Sequence, residues 1–193
     1  MPGRCRASNV TCAEIRVSLL SRMLGPRRRT VALEERVRAS MAAGDLPTAR
    51  TLVEEALALA PRAGAIHHLS GLLALREGRP DVAVAHLQTA SASEPESVQI
   101  RYDFAEALRV SGRPTEALDM YQAVLRAIPE LSSALLGLAE SLADAGDAAT
   151  ARITLERAMA SIARDAGDAK GMSRRRADAL AARLGAAQPA AQA

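Results

Sequence analysis

The chain has 193 residues, of which 49% are apolar, 24% charged and only 2% aromatic, with a formal net charge of +3. An apolar fraction near one half excludes wholesale disorder, and the length suffices to bury a core. One Phe, two Tyr and no Trp leave little from which to build a β-sandwich or barrel, so the Ala- and Leu-rich composition predicts an all-α fold.

The charge is unevenly placed. Residues 1–29 carry seven Arg and one Glu, residues 30–163 sum to −6, and residues 164–193 sum to +3. Basic ends on an acidic body read as solvated tails rather than nucleic-acid arms. Within the first segment, Ile15, Leu19, Leu20 and Met23 share one helical face beside Arg16 and Arg22. Residues 1–29 are therefore expected to be partly disordered or to form a short capping helix, with Gly25–Arg29 as a linker. The sharper alternative is a basic amphipathic contact with a membrane through residues 12–24. The uncharged run Val17–Ser21 is too short for a secretory core, and no apolar run reaches transmembrane length. Cys5 and Cys12 match neither a disulfide framework nor a zinc spacing. A reduced, cytoplasmic location is the expectation.

From residue 30 onward the chain repeats. Gly44, Gly78, Gly112 and Gly146 are 34 residues apart, as are Ala49, Ala83, Ala117 and Ala151, and Pro61, Pro95 and Pro129. Each glycine suits the left-handed position that ends a helix. Pro80 and Pro114, two residues later, suit the first turn of the next helix, and Asp45 and Asp147 are good N-caps. The periodic alanine marks a close helix–helix approach, and the periodic proline ends the second helix. Helices are expected over about 31–43, 46–59, 64–77, 80–93, 98–111, 114–127, 132–145 and 148–164. Ala163 stands where a fourth proline would fall. Beyond it, Ala177, Leu180, Ala181 and Leu184 recur at helical spacing, with Arg174, Arg175, Arg176 and Arg183 on the rest of that helix. Such a stripe would cap the open end of a stack over residues 164–185, leaving 186–193 disordered.

The phased residues resemble the tetratricopeptide repeat. Its pattern is matched by Arg101, Phe104, Ala105, Leu108, Ala117, Tyr121 and Pro129, and by Leu135, Leu138, Ala139, Leu142, Ala151 and Leu155. His67, Ser70, Gly71, Ala74, Ala83, Leu87 and Pro95 form a second-repeat version. In the first repeat Leu33, Ala49, Val53 and Pro61 fit while Arg36, Val37 and Ser40 depart. The resemblance implies a right-handed superhelix of four helix–turn–helix repeats, 30–63, 64–97, 98–131 and 132–163, with a C-terminal capping helix.

No catalytic constellation accompanies this pattern. The three histidines are His67, His68 and His86. His67 and His68 project about 100° apart on a helix, so any pairing needs His86 from the next helix, and no third metal ligand is evident. Nucleophile motifs and phosphate loops are missing, and the aromatics are too few for an RNA-stacking platform. The expectation is no enzyme, no cofactor and no small-molecule substrate.

What the resemblance implies instead is a concave groove lined by the first helices. Its positions correspond to Glu34, Arg38 and Met41; His68, Leu72, Leu75 and Arg76; Gln99, Tyr102, Glu106 and Arg109; and Ser133, Leu136, Glu140 and Asp144. Relatives that hold the C-terminal carboxylate of heat-shock chaperones use Lys and Asn there, and these positions hold neither. The expected partner is another protein, presented as a peptide or helix, in support of a bacterial assembly. Bacterial origin is inferred from the Arg-for-Lys, Ala-rich usage. A chaperone for a secreted substrate, similar to those of type III secretion, is the alternative, with Leu72, Leu75, Tyr102 and Leu136 as its apolar contacts.

Overall fold

The computed structural model describes residues 26–164 and 171–186. Nine helices run in order among them: α1 (Pro26–Ala42), α2 (Leu46–Leu59), α3 (Gly64–Arg76), α4 (Pro80–Ser93), α5 (Val98–Val110), α6 (Pro114–Ala127), α7 (Ser132–Asp144), α8 (Ala148–Arg164) and α9 (Met172–Ala186). No strand occurs among the described residues. The readings that concern residues 12–24, Cys5, Cys12 and the last seven residues lie outside them.

The turns within each pair are built alike. Gly44, Gly78, Gly112 and Gly146 have φ between +70° and +90°, where an L side chain is disfavoured. The N–H of the following residue returns to the carbonyl of Ser40, Ala74, Leu108 or Leu142, each at 2.9 Å. This satisfies a helix-end carbonyl that has no partner within its own helix. Asp45 and Asp147 accept from the backbone N–H of Thr48 (3.1 Å) and Thr150 (3.0 Å), while Pro80 and Pro114 open α4 and α6. The second helices α2, α4 and α6 stop two residues before Pro61, Pro95 and Pro129. Without that proline, α8 continues to Arg164.

Ala49, Ala83, Ala117 and Ala151 are all fully buried, which lets paired helices approach closely. Each helix packs on its sequence neighbours, and the first helices α1, α3, α5 and α7 also touch one another in succession. The second helices have no such mutual contact. The stack therefore curves, with the first helices on the inside. α9 packs against both α8 and α7, in the place a fifth first helix would take. Its buried residues are Ala177, Leu180 and Leu184, which join the cluster of Leu135, Leu136, Ala139 and Leu155.

Two expectations are corrected. Residues 26–29 are not a linker: α1 starts at Pro26, because proline suits a helix's first position and the arginines that follow are good helix formers. Ala181 is exposed, so the buried stripe of α9 is narrower than its apolar residues imply.

Candidate functional site

The inner surface formed by α1, α3, α5 and α7 is tied together by polar contacts that cross from repeat to repeat. Arg76 Nη1 donates to the carbonyl of Met41 at 2.5 Å, fixing α3 to the end of α1. His68 Nε2 lies 2.6 Å from Asp103 Oδ2, which also accepts from Gln99 Nε2 at 2.9 Å. Asp103 is buried, so these two partners, one on α3 and one on α5, satisfy a carboxylate that would otherwise be costly to bury. On α1, burial raises the Glu34 carboxyl above its ordinary range, against the opposing pull of Arg38. Arg38 itself reaches Glu34 only at 3.7 Å and keeps 56% of its side chain exposed.

A denser cluster occupies the inner face of the last two repeats. Glu106 on α5 and Glu140 on α7 are 16% and 13% exposed at the side chain. Arg109 Nη2 pairs with Glu106 Oε2 at 2.8 Å. Its Nε is 3.3 Å from Glu140 Oε2, but is not directed at it well enough to make a hydrogen bond. Arg176, from α9, donates through Nε and Nη2 to the two oxygens of Glu140, at 3.1 and 2.5 Å, and reaches Glu106 Oε1 at 3.3 Å. Tyr121 OH donates to Glu106 Oε1 at 2.7 Å, and Tyr102 OH stands 3.4 Å from the same oxygen. The two tyrosine rings meet edge to face at 6.1 Å, a favourable aromatic geometry.

The electrostatics follow from this arrangement. Burial pushes the Glu106 carboxyl upward, but Arg109 and Arg176 outweigh it and hold the group below its ordinary range. Burial, reinforced by the Glu106 charge, pushes the Tyr102 phenol up to about 12 and raises Tyr121 as well. Both phenols therefore stay protonated as donors. Arg109 and Arg176 are held firmly charged, since the carboxylates beside them overcome the burial that would favour the neutral form.

Of the expected groove residues, Arg38, Arg76 and Gln99 are exposed, while His68, Leu72, Leu75 and Tyr102 are half-buried along the inner face. Glu106, Arg109 and Glu140 are brought together, but their charges are engaged within the chain. Met41 and Leu136 are corrected: they are 5% and 0% exposed. Met41 packs with Leu33 and Val37, and Leu136 lies in the cluster that includes the α9 leucines, so neither is presented to a partner. Asp103 and Arg176 were not among the expected groove residues. Both were missed because each is engaged by a residue roughly one repeat away in sequence.

His67 and His86 do meet, with their Nδ1 atoms 3.1 Å apart and His67 Nε2 3.0 Å from the Pro61 carbonyl. The carbonyl requires a proton on His67 Nε2. In the neutral pair, His86 Nδ1 is then the donor and His67 Nδ1 the acceptor. Among the described residues no three His, Cys, Asp or Glu side chains converge as a metal site, and no helix is long and apolar enough to cross a membrane.

The tetratricopeptide-repeat sequence profile matches residues 35–97, 68–131 and 102–169. Over 106 residues the chain is 33% identical to Protein FlbA of Caulobacter vibrioides, an alignment that covers 55% of this chain and 18% of FlbA. The chain thus spans less than a fifth of that relative's length. Among solved structures it is similar to a mutant form of MamA, with a TM-score of 0.63 and 23% identity over 68% of this chain and 77% of the other. It is similar also to PilF of Pseudomonas aeruginosa, with a TM-score of 0.63 and 17% identity over 86% of this chain and 80% of the other. At these identities the structural likeness concerns the fold alone.

Proposed function

The chain belongs to the tetratricopeptide-repeat family, whose stacked helix pairs serve as protein-interaction modules, and from that premise we propose that it is a non-enzymatic adaptor. It holds a peptide or helical segment of another protein along the inner faces of α1, α3 and α5, in support of a bacterial, cytoplasmic assembly. The observation that carries this reading is the mixed, partly open strip of Arg38, His68, Leu72, Leu75, Arg76 and Gln99. It sits on a frame already tied together by the Arg76–Met41 and His68–Asp103–Gln99 contacts, so binding need not order the frame first. The strip offers little apolar area: Leu72 and Leu75 are half-buried and Leu136 is fully buried. That favours a defined segment over the unfolded client of a secretion chaperone.

The test compares Arg38→Glu/Leu72→Lys on the inner face with Gln122→Lys/Arg126→Glu on α6. Partners are captured from the native host, identified, and re-tested as purified proteins. Loss of binding only in the first variant, with the helical circular-dichroism spectrum retained in both, is the expected result. Equal loss from both faces, or loss from α6 alone, would remove the groove from the mechanism.

A further inference from the structure

We propose that Glu106 and Glu140 form an arginine-accepting site, that Arg176 fills it from within the chain, and that the partner enters the last two repeats as a helix whose own arginine replaces Arg176. This rests on the groove reading above and adds to it the chemistry of the occupant.

The charge balance sets that chemistry. The repeats themselves place two carboxylates here against the single guanidinium of Arg109, and with α9 seated over them their side chains are 16% and 13% exposed. A helix that took the place of α9 without bringing a cation would bury one of these negative charges without compensation, and such charges are strongly unfavourable. An occupant that brings no cation is therefore disfavoured, and an acidic peptide more so. The geometry narrows the cation further. Arg176 spans both oxygens of Glu140 with Nε and Nη2 while Nη2 also faces Glu106. That planar fork is open to arginine and not to lysine.

The apolar contacts supply the rest of the pattern. Ala177, Leu180 and Leu184 of α9 lie in one cluster with Leu135, Leu136 and Ala139. An exchanging helix would thus present an arginine, a small residue directly after it, and leucines four and eight positions beyond the arginine. Besides Arg176, α9 is held by Arg183, 3.0 Å from Asp144, and by Arg152, which donates to the Leu184 carbonyl at 2.7 Å. α9 buries only those three side chains, whereas α7 buries seven residues. A cleft of about 240 Å³ remains beside it, lined by Arg109, Glu140, Asp144, Arg176, Leu180 and Arg183. Because α9 packs only on α7 and α8, it can be exchanged without opening the repeats.

The experiment uses the full chain and a fluorescent peptide with the sequence of residues 171–186, beside the same peptide carrying Arg176→Gln. The full-chain Arg176→Gln variant, whose internal occupant is weakened, should bind the arginine peptide about tenfold more tightly than the parent does. The glutamine peptide should bind neither. Hydrogen exchange on the unsubstituted chain removes any dependence on how the variant folds: excess arginine peptide should accelerate exchange of the α9 amides while leaving α7 and α8 unchanged. Equal binding of the two peptides, or α9 exchange unmoved by saturating peptide, overturns the proposal. The Arg38→Glu/Leu72→Lys variant separates it from the groove reading, because those residues lie away from α9. If that variant loses the partner while peptide exchange fails, the arginine site falls and the adaptor stands. If peptide exchange succeeds while that variant keeps its partner, the strip on α1 and α3 falls and the arginine site stands.

Discussion

Adding one methyl group at Gly137 should destabilise the protein, although it converts a helix-interior glycine to the best helix former. A Cβ built there would lie 2.4 Å from Tyr121 Cζ, 2.5 Å from its hydroxyl and 2.6 Å from Cε1. Tyr121 is fully buried and cannot swing into solvent. Any retreat also withdraws its hydroxyl from Glu106, 2.7 Å away. Intrinsic propensity favours Gly137→Ala by about 1 kcal/mol. Against this stand overpacking, about 1–3 kcal/mol, and a weakened hydrogen bond to a charged acceptor, about 1.5–3 kcal/mol. The net expectation is a loss of about 1.5–5 kcal/mol, or roughly 3–20 °C in melting temperature. Urea and thermal melts followed by far-ultraviolet circular dichroism would read it. Tyr121→Leu should cost less in the Gly137→Ala background than in the parent, because the clash is then relieved; this coupling isolates the contact. A Gly137→Ala variant as stable as the parent, with additive behaviour of the pair, would show that α6 and α7 do not meet there as described.

Ala117, fully buried where α6 meets its neighbours, should tolerate Leu poorly: Ala117→Leu is expected to lose about 1–3 kcal/mol in the same melts. Ending the chain before Met172 should uncover Leu136 and the rest of the α8-side cluster and promote self-association, visible by light scattering. Acid should weaken the fold in two stages. Burial, then His67 and Arg79, lower the His86 value, so its contribution is present above about 6.5 and is lost as pH falls through its folded value. Glu106, held low by Arg109 and Arg176 against burial, contributes above its unfolded value of about 4.5 and is lost as pH falls through its depressed one. His86→Gln should remove the first stage from a plot of melting temperature against pH and keep the second.

The features legible in sequence were those fixed by local backbone chemistry. A positive-φ glycine, a proline at a helix start and an alanine at a close approach each constrain a few bonds, so their 34-residue phasing located the turns and both sides of every pair. Pro26 was ambiguous because proline serves a helix start and a linker equally well, and nothing nearby in sequence decides between them. Met41 and Leu136 could be placed on the inner face by their repeat position. Their burial depends on what lies over that face, which the position within a repeat does not encode.

The contacts that organise the site have a simple sequence relation that composition and periodicity alone do not reveal. Arg76 and Met41 are 35 residues apart, as are His68 and Asp103, while Arg176 and Glu140 are 36 apart. Each separation is one repeat plus one or two residues. It follows from the stacking: equivalent positions on successive first helices lie side by side, and a side chain on a helix leans toward its N-terminus, so the facing group is slightly offset. Aligning repeats and looking for complementary polar residues at that offset, α9 included as a fifth first helix, would have found Asp103 and Arg176. The bond from Arg176 to Glu106, 70 residues away, spans about two repeats and crosses over α7. It requires α5, α7 and α9 to share one inner face, so only the assembled structure contains it.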